Sequence, residues 1–139
     1  MALDPERALI ATLIAHLCAA PALNADLGDP PRVYDEPPDR PTYPYLSIGR
    51  AQSTPRGGDA SEGVEQVLTL TVVSRYGGTE EAHRIKDALR TLLDDARLTL
   101  NGHRLVSLQV RFADVFRASD WRSIYGVIRL RAVTEPLQS

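Results

Sequence analysis

The sequence predicts an α+β fold: an antiparallel β-sheet of about four to five strands covered by two amphipathic α-helices. Three observations carry it. Long apolar runs with a two-residue period, over 64–76, 105–112 and 124–133, have the alternation of strands. Asn101-Gly102 stands between two apolar runs, the strongest short-range hairpin pattern. Two further segments, near 5–20 and 80–93, repeat their apolar residues at helical spacing. Strands joined by hairpins make an antiparallel sheet, and amphipathic helices need an apolar face to cover.

Taken in order, Asp4 followed by Pro5 is an N-cap with proline at the first helical position. Ile10, Leu13, Ile14 and Leu17 then recur along a helix expected to stop at Pro21. Six of the ten prolines fall between Pro30 and Pro44, which forbids a long regular element there and leaves "RVYD" as at most a short strand. "YLSIGRA" alternates Leu46 and Ile48 with Ser47, giving a strand that ends near Gln52. Ser53 to Gly63 is polar and glycine-rich, the composition of an exposed, mobile loop. In "VEQVLTLTVVSRY" both faces of the strand carry apolar residues, so both are expected to be partly covered. Thr79 can cap the second helix, whose stripe is Ala82, Ile85, Leu89, Leu92 and Leu93. After the hairpin, Val106, Leu108, Val110 and Phe112 alternate against Ser107, Gln109 and Arg111. The last strand sets Ile124, Gly126, Ile128 and Leu130 against Tyr125, Val127, Arg129 and Arg131.

A chain of 139 residues is expected to build one domain over 1–139, with 53–63 as its mobile loop and 136–139 as a flexible tail. No apolar run has the 18 or so residues of a membrane span. The apolar N-terminus lacks the basic start of a signal peptide and carries Asp4 and Glu6, so it reads as a helix of the folded protein. Cys18 is the single cysteine and falls in an apolar helical pattern, consistent with folding in a reducing compartment. The net charge is -2, but residues 1–65 hold ten acids and five bases while 66–139 hold eight and eleven. Fifteen of the sixteen bases are arginine, a choice that coding bias or anion recognition would both produce.

The residues of chemistry do not assemble into a motif. His16, His83 and His103 have no metal-ligand spacing with one another or with Cys18, and no metal or cofactor is expected. There is no G-x-S-x-G, and Gly57-Gly58 and Gly77-Gly78 lack the context of a phosphate cradle. Glu80-Glu81 and Asp94-Asp95 are adjacent pairs that diverge around a helix, so they are expected to be solvated. Two features remain. Arg111, Arg129 and Arg131 can share one face of a strand pair as a basic stripe, or simply be a solvated face. Trp121, in the polar stretch "SDWRS", is either tucked onto the sheet or kept for a partner.

These ordered features together resemble the tail-completion proteins, or tail terminators, of long-tailed bacteriophages and the related gene transfer agents. The resemblance runs over roughly residues 5–135. It rests on the short apolar N-terminal helix, "RVYDEPPDRPTYPYLSIG", "LTLTVVSRYGGTEEAHRIKDALRTLL", "LNGHRLVSLQVRFADVFRASD" and "YGVIRLRAVTE" in that order. It implies a structural virion protein, assembled in the bacterial cytoplasm, that forms a ring at the head-tail junction, commonly of six copies. Such a ring caps the tail-tube protein, meets the head-completion (stopper) protein and lets DNA pass through its lumen. The family has no catalytic motif to carry over and fixes no residue roles. From this sequence alone, Arg50, Arg56, Asp59, Glu62, Arg117, Trp121 and Arg122 are the candidate subunit or tube contacts, with the acidic first half able to meet the basic second half head to tail.

Two alternatives differ in what they require. A head-tail adaptor of the same particle shares the location and changes the neighbours. A small α+β enzyme needs a pocket walled by Tyr34, Tyr43 and Tyr45, with Asp35 or His103 as its polar group.

Overall fold

The computed structural model describes residues 4–49, 51–55, 63–75 and 78–137 of the 139. Asp4 accepts a hydrogen bond from Arg7 N at 2.8 Å and starts α1 (Pro5–Cys18), which buries Ala8, Leu9, Leu13 and Leu17. A single 3-10 turn, Pro21–Leu23, leads into α2 (Asn24–Leu27), one turn long. The strands are β1 (Val33–Tyr34), β2 (Tyr45–Ile48), β3 (Gln52–Pro55), β4 (Val64–Ser74), β5 (Thr99–Leu100), β6 (His103–Arg117) and β7 (Ile124–Pro136). Between β4 and β5 lies α3 (Glu80–Leu93), which buries Ala82, Ile85, Leu89 and Leu93, four of the five residues of its expected stripe.

The expectation of four to five antiparallel strands under two helices is corrected here. Among the described residues the sheet has seven strands and is mixed, in the order β1-β2-β4-β7-β6-β5 with β3 also on β4, and there are three α-helices. β1 pairs with β2 in parallel, Val33 opposite Leu46, after a proline-rich crossover that no local pattern announces. β1, β3 and β5 have two to four residues each, too few to show an alternation.

The stretch read as one strand from Tyr45 toward Gln52 is two, both on the same edge of β4. Gly49 separates them: its amide donates to Thr69 O at 2.7 Å, and a Cβ there would stand 2.8 Å from that oxygen. Residues 53–55 of the expected loop belong to β3, while 56–62 lie outside the described residues. At the other end, Pro136 closes β7.

All three helices lie on one side of the sheet. There Leu46, Leu68, Leu70, Val72, Ile128, Leu130 and Ala132 pack under Leu9, Leu13, Leu17, Ile85 and Leu89 in one cluster. Each such leucine, fully buried, contributes about 1.5–3 kcal/mol of hydrophobic stabilisation. The sheet curls until α1 touches β1 at one edge and β5 at the other. His16 Nε2–H on α1 donates to Leu92 O on α3 at 3.0 Å, and Arg84 on α3 pairs with Asp26 on α2 at 2.8 Å.

Candidate docking surface

Among the described residues the opposite side of the sheet carries no helix, and the register shows what it presents. Directly opposed residues of an antiparallel pair share a face. Tyr45, Val73, Tyr125 and Phe116 therefore form one row across β2-β4-β7-β6, and Ser47, Thr71, Val127 and Asp114 the next. Thr69, Arg129 and Phe112 follow, then Gln52, Val67, Arg131 and Gln109. The surface is a mosaic of aromatic, β-branched and arginine side chains.

Two bulges in β6 decide which side chains reach it. The register slips between Leu105 and Ser107 and again between Val110 and Phe112. An extra residue inverts the alternation, so Phe112, expected beside Leu108 and Val110, is turned outward and is 45% exposed. Phe116 follows it at 44%, with its ring edge-on to Tyr125 at 5.8 Å between centroids. These two phenylalanines were missed by sequence reasoning. Their only signal was that "RFADVFR" continues the strand out of phase with the apolar residues before it.

The arginines of the expected stripe are engaged rather than ranked in a line. Arg131 pairs with Glu65 at 2.9 Å, and that bond raises the guanidinium above its ordinary value. Arg129 lies over the Phe112 ring at 5.4 Å. Arg111 sits in the second bulge, reaches Gln109 at 3.5 Å and lines an open groove with Asp94, Asp95 and Val110.

At the tip of the β6-β7 hairpin, Asp120 organises the turn. Its Oδ1 accepts from Arg122 N at 2.8 Å and Ser123 N at 3.0 Å, and these two bonds hold the carboxyl below its ordinary value. Ala118 N donates to Ser123 O at 2.8 Å, and Trp121 N to Ala118 O at 3.0 Å. The result places Trp121 at φ 62, a left-handed conformation that strains a bulky residue, with 77% of its surface in solvent. Arg117 steadies it from 5.9 Å above the indole and by a 3.4 Å bond to Trp121 O, and Arg122 is exposed beside it. Of the other candidate contacts, Arg50, Arg56, Asp59 and Glu62 lie outside the described residues.

The constellation an enzyme would need is only half assembled. Tyr34, Tyr43 and Tyr45 do meet, with centroids 6.0 Å and 5.6 Å apart and Arg75 lying 4.4 Å over Tyr43. Burial, with Tyr43 beside it, raises the Tyr45 phenol. His103, however, begins β6 at the end opposite Phe116 and Tyr125, and Asp35 is exposed after β1. The rings pack against one another at the sheet surface, and the open groove lies elsewhere, along Asp94, Asp95 and Gln109. Among the described residues, no three His, Cys, Asp or Glu side chains are grouped to hold a metal. Among the described residues no single helix is long and apolar enough to cross a membrane.

Among the described residues, then, one sheet face is sealed by helices and the other presents aromatic and arginine side chains. The chain belongs to the family of tail completion protein gp17, whose model matches residues 11–135. Its fold is similar to a chain in the structure titled "Virion of native gene transfer agent (GTA) particle", with a TM-score of 0.85, 25% identity, and coverage of 96% of this chain and 99% of that one. None of the curated proteins matches it. The protein is thus a structural component of the virion tail, as the resemblance implied.

Proposed function

We propose that the chain is one subunit of a closed ring, six copies in number, that completes the tail by capping its tube and offering the opposite rim to the head-completion protein. Genome DNA passes through the lumen, and the protein performs no turnover. Residues 1–139 act in this as a single module.

The observation that carries this reading is the hairpin tip. An exposed tryptophan held at positive φ by its own hydrogen-bonded turn is a preorganised anchor, and such anchors dominate binding energy when they enter a partner's pocket. Arg117 and Arg122 beside it add charge that steers an acidic partner. The residue types lend further support: arginine tolerates passing DNA through phosphate contact without reading its sequence.

The test is light scattering behind size-exclusion chromatography, with negative-stain imaging, on the protein alone and mixed with tail-tube protein. The expected result is a ring on tube ends. A monomer at every concentration, with tube protein present, would overturn the ring; rings that bind only the head-side connector would make the protein an adaptor instead.

A further inference from the structure

β6 is an edge strand for most of its length. β7 pairs with it from His103 to Arg117, whereas β5 covers its other side only at His103 and Arg104. Over the middle the chain seals its own edge: Asp95 N donates to Leu108 O at 2.9 Å, and Val110 N to Asp94 Oδ1 at 3.0 Å. Past the second bulge this protection stops. Peptide groups alternate sides along a strand, so once the extra residue has inverted the phase, the amides and carbonyls directed away from β7 are those of Ala113, Val115 and Arg117. Val115 N bonds only to the carboxylate of its neighbour Asp114, at 2.9 Å, and among the described residues no other strand or loop reaches this stretch. A row of backbone groups paired with no other strand is a template for one.

The opposite edge of the sheet offers the matching piece. Followed through the paired residues, Val33 of β1 stands level with Leu46, Val72, Gly126 and Val115 in turn. β1 is parallel to β2, and three antiparallel steps then lead to β6, so β1 runs antiparallel to β6. Leu46 N donates to Arg32 O at 2.9 Å, which turns Arg32 toward β2 and Val33 away from it. A neighbour placed so that the sheet simply continues therefore brings an outward-facing Val33 against an outward-facing Val115.

Side chains agree with this placement. Tyr34, on the open face opposite Ser47, would lie between Phe112 and Phe116, the two half-exposed rings. The exposed Asp35 and Glu36 that follow β1 would run toward the exposed Arg111.

We propose that the open edge of β6 from Ala113 to Arg117 receives β1, and the acidic turn after it, of a second copy of this chain, so that one sheet runs on from subunit to subunit. The contact is head to tail, the kind that closes rings, and it rests on the ring reading above.

Asp35→Cys and Ala113→Cys, combined in a Cys18→Ser background and oxidised after assembly on tail tubes, is expected to give a covalent ladder ending at the full ring, with no ladder from either single variant. Val115→Pro removes an outward amide at an edge position where proline is tolerated. It is expected to keep its Tm and lose assembly roughly tenfold, the size of one or two backbone hydrogen bonds per interface. If wild-type and Val115→Pro rings form equally well and the cysteine pair stays unlinked, the edge contact is overturned while the ring stands. Failure of the wild-type protein to form rings on tubes would overturn the ring, and an unlinked cysteine pair there would overturn the edge contact with it.

Discussion

The two faces of the sheet obey different rules although they are made by the same strands. On the helix side, aliphatic side chains interlock with α1 and α3, and a lost methyl group leaves a void. On the open side, Thr69, Thr71, Val127 and Arg129 form a pleated surface over which no helix of the described residues is laid. The first face sets whether the chain folds, and the second sets what it meets. A variant series separates them.

The largest effect is expected from Leu70→Ala, in the centre of the helix side, at about 2–5 kcal/mol of stability by urea denaturation. Phe112→Ala, on the open side, should stay under about 1 kcal/mol in the same assay, because its ring is already half in water. Equal losses at the two positions would erase the distinction.

Gly49→Ala comes next. The new Cβ collides with Thr69 O, a backbone atom that can yield only by parting β2 from β4, so a loss of roughly 1–3 kcal/mol in thermal unfolding is expected. Smaller and opposite in sign is Trp121→Gly, which relieves the left-handed backbone and should raise stability by under about 1 kcal/mol while weakening attachment to tubes.

Smallest is a local pH effect at Asp120. Its carboxyl titrates below its unfolded value, so its hold on the turn is complete above about pH 4 and is lost as the pH falls through the lowered folded value. Below that point, faster amide exchange at Arg122 and Ser123 is expected with the core unchanged; Asp120→Asn should remove the transition.

How much of this was legible in the sequence follows from where the information resides. The stripe of α3, the alternation of β4 and the hairpin at Asn101-Gly102, where Gly102 has φ 81, depend on near neighbours and were readable. The parallel pairing of Val33 with Leu46 depends on a return across the proline segment, and the bulges at Val106 and Arg111 depend on what β7 presents opposite them. Neither is encoded locally. The same bulges account for the uneven reading of the docking surface: Trp121 stood out as an aromatic in polar company, whereas Phe112 looked like one more core residue until its phase was inverted.

The position of α1 has a consequence for how the protein is made. This helix precedes every strand in the chain, yet it packs against both β1 and β5, and β5 is complete only once Leu100 has been added. During most of synthesis Leu9, Leu13 and Leu17 have no permanent cover, and the contacts that bury them span much of the chain, the condition for slow folding and for capture by chaperones. Chains released before Leu100 should be aggregation-prone, so subunits become available for the tail only after β5 has emerged.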